Sequence, residues 1–94
     1  MTTSLPSDLE LARTTAEFDE DTVPAGLLRD HRIAAGVWGR LVVSSGRLRF
    51  GFDDDDESDI TAGETVVIPP EQVHHVRVVG PVRFHVEFHR PRVP

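Results

Sequence analysis

Histidine is the residue of this chain best suited to chemistry: there are five, and there is no cysteine. Without a thiol there is no thiolate nucleophile, no thiolate zinc site and no disulfide. An imidazole can hold a transition metal or move a proton near neutral pH. Which of the five can meet one ligand depends on where they face, because side chains alternate between the two faces of a strand. His74 is in phase with Val76 and Val78 and points inward, whereas His75 is in phase with Arg77 and points to solvent. His31 is in phase with Ile33 and is the second inward candidate. His85 and His89 share a face with Arg83 and Glu87. Glu71, three residues before His74, would complete a set of two histidines and one carboxylate. Such a set suits one divalent transition metal: zinc, iron, nickel or manganese. Without a metal, His31 and His74 are partly buried histidines bonded to backbone or water.

Other residues offer less. Trp38 and Arg40 lie on one strand face, opposite Leu41 and Val43. With His85 they could wall a pocket in which Arg40 meets an anionic ligand. The alternative makes Trp38 an interface residue and Arg40 a surface charge. The run Asp53 to Asp59 lacks the glycine and final glutamate of an EF-hand loop, so it reads as a solvated loop tip, which the Arg47/Arg49 face could help neutralise. No serine sits in a strand-to-helix elbow, and no glycine loop cradles phosphate.

The elements that must position these residues are short strands. A first strand is predicted near Leu9–Thr14, then a polar stretch from Phe18 and a turn at Pro24-Ala25-Gly26. Leu27–Ile33 reads as an extended run with imperfect alternation, compatible with a short helical turn. Val37–Val43 and Leu48–Phe52 alternate with period two about Ser44-Ser45-Gly46, which predicts a hairpin with a tight reversal. Thr65–Ile68 and Val76–Val79 follow, then a turn at Gly80-Pro81 and a last strand over Val82–Phe88. Six to eight short strands without a persuasive helix predict a small antiparallel sandwich or barrel.

The 94 residues fit one domain, 1–94, with its core at about 9–89. So short a chain buries a modest core, which makes a homodimer a natural expectation. A formal net charge of −6 argues against nucleic acid and anionic membrane as partners. With no signal-like start and no long apolar run, the expected location is cytoplasmic.

The segment Gly63 to Val76 has five residues between Gly63 and Pro69 and four between Pro69 and His74. That spacing resembles the second motif of cupin barrels, in which the histidine points inward and often holds a metal. Leu27–His31, Gly36–Leu41, Gly46–Leu48, Pro70–His74 and Phe84–Phe88 resemble the small YeaR-like cupins, which are similar to the N-terminal domain of the tellurite resistance protein TehB. The resemblance spans about Thr14 to Phe88. It implies a cupin-type double-stranded β-helix, an all-β antiparallel jelly roll, with a pocket near His31 and His74. Ile33, Ala35 and Gly39 fall near the ligand positions of the wider cupin first motif, and none can ligate. The methyltransferase domain of full-length TehB has no counterpart here.

Three functions are compatible with this reading. The first is a module that binds a metal or a small, anionic ligand in a tellurite, oxyanion or related stress response. The second is a metal-dependent enzyme of dioxygenase or isomerase type, with Glu71 or His85 moving protons. The third is a dimerising barrel without ligand.

Overall fold

Two long strands set the architecture. The computed structural model describes residues 5–53 and 56–92. Its strands are β1 (Leu9–Thr14), β2 (Phe18–Asp19), β3 (Trp38–Phe52), β4 (Ser58–Thr61), β5 (Thr65–Ile68) and β6 (His74–Pro91). The described helix is one 3-10 turn, Ala25–Leu28, after Pro24. No described helix is long and apolar enough to cross a membrane.

All pairings are antiparallel. β6 pairs with β3 along nearly its whole length, from Trp38–His89 to Phe52–His74. β1 and β2 line the other edge of β6, and β5 and β4 line the other edge of β3. This is the all-β architecture that the alternation predicts.

Two expected reversals are absent. Ser44-Ser45-Gly46 does not close a hairpin but lies inside β3, and Gly80-Pro81 lies inside β6. The register slips there instead, between Val43 and Ser45 and between Gly46 and Leu48. Bulges bend a ladder without ending it. Gly46 has a φ of 69°, and a Cβ there would lie 2.0 Å from the Pro81 carbonyl oxygen. Only glycine accepts both the left-handed backbone and that approach. Past the bend the buried residues of β3 switch from Leu41 and Val43 to Leu48 and Phe50. The predicted faces were therefore right, although the connection was not.

Phe18, read as the start of a polar stretch, packs its ring 5.6 Å from the buried Phe84. Ser58 and Asp59, read as part of an acidic loop, belong to β4. Asp54 and Asp55 lie outside the described residues. The core joins Leu41, Val43, Leu48, Phe50, Ile68 and Phe84, all essentially inaccessible to water. Burying a side chain of this size contributes roughly 1.5–3 kcal/mol.

Candidate functional site

The inner face of the barrel carries the histidine pair. His74 opens β6 in phase with Val76 and is 2% exposed. His31 lies outside the strands, in an isolated antiparallel bridge with His74. Each backbone N–H of this pair donates to the other residue's carbonyl at 2.9 Å. Directly opposed residues of this kind place their side chains on the same face. The ring nitrogens, His31 Nδ1 and His74 Nε2, accordingly stand 3.3 Å apart. The His74 ring stacks on Phe50 at 5.7 Å.

The hydrogen bonds assign the tautomers. His74 Nδ1 is 3.0 Å from the Gln72 carbonyl, which can only accept, so this nitrogen carries the proton. In the neutral ring Nε2 is then an acceptor, and His31 donates to it from Nδ1. The relay ends on His31 Nε2, whose lone pair is left to accept a proton or a ligand donor. Burial pushes the His74 imidazole below its ordinary value of 6.5; the His31 charge adds to this and the Gln72 carbonyl opposes it. His74 is neutral at pH 7.

The pair looks into a cavity of about 290 Å³. Its walls are largely apolar, with Phe18, Leu27, Leu41, Ile68, Val76 and Val86 among them. Arg13 sits at the rim, its guanidinium carbon 4.8 Å from the Phe88 ring centroid.

Metal fit is partial. Cis nitrogens on a tetrahedral ion with bonds of about 2.0–2.1 Å stand about 3.3 Å apart, so the pair spans two adjacent positions. No group of three or more histidine, cysteine, aspartate or glutamate side chains that could hold a metal occurs among the described residues. Glu71 is exposed, with a φ of 62°. It serves the site through its backbone, donating its N–H to the Ile33 carbonyl at 2.9 Å.

Trp38, Arg40 and His85 do not line this cavity. Residues 38 and 40 point away from the face that buries Leu41 and Val43, and Val42 on the same side pairs with His85. Arg40 Nε is 3.5 Å from Glu87 as an ion pair; Glu87 accepts from His89 Nε2 at 3.1 Å and lies 3.6 Å from His85. Burial raises the Glu87 carboxyl, but the His89 hydrogen bond, the Arg40 charge and the His85 contact together carry it below its ordinary value.

His75 faces outward too, but it is covered rather than free. It donates from Nε2 to Glu57 at 2.7 Å, and Arg77 binds the same carboxylate. Arg47 and Arg49 each reach Asp59 at 3.2 Å, so the arginine face does neutralise part of the acidic run. The ring lies over Gly51, where a Cβ would stand 2.7 Å from its Cε1. Hydrogen bonds from His75 and Arg77 lower the Glu57 carboxyl below its ordinary value.

Arg13 was absent from the sequence-derived candidates. β1 slips register between Leu11 and Arg13, so Leu11 pairs with His89 outside and Arg13 with Phe88 inside. A strict period of two puts both on one face, and no residue of β1 marks the slip in the sequence; in the structure it leaves Leu11 55% exposed.

Residues 13–86 match the family described as the TehB-like domain. The chain is 27% identical over 95 residues to the uncharacterized protein YeaR of Escherichia coli K12, covering 89% of this chain and 80% of that protein. A crystal structure of a protein from the same strain superposes with a TM-score of 0.88 at 25% identity, covering 98% of this chain and all of the other. TehB from Haemophilus influenzae superposes at 0.84 with 21% identity over 90% of this chain, but over only 32% of TehB. A cupin-2 domain protein of Shewanella frigidimarina gives 0.56 with 20% identity, covering 98% of this chain and 78% of its own. The fold is that of a small cupin barrel, and the chain belongs to the TehB-like domain family.

Proposed function

We propose that this protein is a small-molecule binding module whose ligand sits in the inner cavity against His31 and His74. One observation carries the reading: two opposed imidazoles, tautomerically ordered, form the main polar feature of a largely apolar cavity of about 290 Å³. Apolar walls with a few convergent polar groups are the usual make-up of a ligand site. The tellurite-resistance likeness supports a setting in oxyanion or related stress.

The 3.3 Å spacing favours a second reading, in which a divalent metal, zinc, iron, nickel or manganese, joins the two imidazoles. The two histidines would hold it through His31 Nδ1 and His74 Nε2, with the His31 proton moved to Nε2, and it would supply a Lewis acid whose remaining positions are open to water or ligand.

Tag-free protein purified without chelator tests both readings. Fragments titrated by NMR are expected to shift His74, Ile68 and Val76 together and to lose affinity in His31→Ala. A fragment set that leaves these three resonances unmoved counts against the cavity. Stoichiometric metal on elemental analysis, with a melting temperature that rises on metal addition and no longer does so in His31→Ala, selects the metal reading.

A further inference from the structure

A second groove, of about 380 Å³, lies against the cavity and shares Arg13, His31, Ile33 and Phe88 with it. Its lining is unlike that of the cavity. Arg13, Arg32 and Arg90 line it together with Ala34 and Val37. Arg90 is partly used by Glu10, at 3.6 Å. Arg13 and Arg32 join no ion pair among the described residues. In a chain of net charge −6, three arginines around one groove make a local positive field.

We infer that the two compartments form one site for an amphiphilic anion, with a carboxylate on Arg13 and Arg32 in the groove and an apolar body in the cavity against the histidine pair. The inference rests on the cavity reading proposed above and names the ligand class for it. The division of the linings is the argument. A charged group moved into the apolar cavity loses its hydration, and Arg13 at the rim is the one arginine in that lining among the described residues. In the groove the same group stays near water and meets planar guanidinium donors suited to a carboxylate. An alkyl chain gains the reverse way, by leaving water for the cavity. Arg13 fits the junction, because stacking on Phe88 orients its guanidinium where both compartments meet.

Titrations of the whole chain at low salt, followed by NMR, test this with three probes: hexanoate, 1-hexanol and inorganic phosphate. Hexanoate is expected to shift Ile68, Val76 and the Arg13 side chain together, and to bind about tenfold more tightly than hexanol, the effect of one charge-assisted pairing. Arg13→Met keeps an apolar chain over Phe88 and should weaken hexanoate about tenfold while leaving hexanol unchanged. Arg32→Gln should act in the same direction; Arg32 is exposed, so this variant keeps the test available if Arg13→Met does not fold. Equal affinity for hexanoate and hexanol, with cavity shifts from both, overturns the anion assignment and leaves the cavity reading intact. Phosphate binding as tightly as hexanoate overturns the amphiphile. Hexanoate that moves only the arginines overturns the joint site; if hexanol also leaves Ile68 and Val76 unmoved, the cavity reading falls with it.

Discussion

His74 and His75 are the same side chain one residue apart, and the barrel gives them opposite chemistry. His74 is almost wholly buried, bonded to a backbone carbonyl and to the His31 ring, and its protonation is disfavoured. His75 lies on the outer face against a carboxylate shared with Arg77. The inner ring is held by a backbone carbonyl and a second imidazole, with no carboxylate against it. The outer ring belongs to an ionic lattice of Glu57, Asp59 and three arginines. A histidine's role here follows from strand phase, because phase decides whether its surroundings are apolar or ionic.

The largest effect expected from this contrast is on stability. His74→Ala removes a buried ring stacked on Phe50 and strands the Gln72 carbonyl, so it should cost about 2–4 kcal/mol in chemical denaturation. His75→Ala should cost much less, since partly exposed ion pairs contribute little. Equal losses would erase the distinction.

Acid should separate the two faces next. The folded value of His74 lies below 6.5, so the unfolded chain binds more protons there, and stability should fall as pH drops through 6.5 toward that lower value. Glu57 also has a depressed value, but for a carboxylate that favours the charged form. Its contribution is present above about 4.5 and is lost as pH falls below it. Denaturation midpoints against pH should show two declines, the upper absent in His74→Gln and the lower reduced in Glu57→Gln. An upper decline that survives His74→Gln places its origin elsewhere.

A smaller effect isolates the outer face. Gly51→Ala puts a Cβ under the His75 ring and 3.2 Å from Glu57 Cγ. It should displace that ring and raise the Glu57 carboxyl toward its ordinary value, with His74 unchanged in an NMR titration. Movement of His74 as well would show that the faces are coupled through β3.

The smallest signal is tautomeric. Nitrogen-15 spectra at pH 7 should show His31 and His74 protonated on Nδ1 and His75 protonated on Nε2 toward Glu57. An Nε2–H form of His74 would contradict the Gln72 bond.

Alternation along His74–Val78 and Ile33 was enough to identify the pair that the structure brings together. The same alternation sorts Leu41 and Val43 from Trp38 and Arg40; residue type alone offers Trp38, Arg40 and His85 as pocket walls, and the cavity lining contains none of the three. The reversal expected at Ser44-Ser45-Gly46 fails for a different reason. A left-handed glycine serves a hairpin turn and a bulge equally well, and what decides between them is the Pro81 carbonyl, 35 residues away in sequence. Arg13 was hidden by the same kind of slip in β1, since one inserted residue exchanges the faces of everything beyond it.

The clasp between His31 and His74 also bears on time. The segment around His31 is in no strand, and His31 and Ile33 are tied to the barrel by three backbone hydrogen bonds, two with His74 and one from Glu71. The β3–β6 ladder behind it spans most of both strands. Amides of the clasp should therefore exchange with solvent through local opening, long before the ladder does.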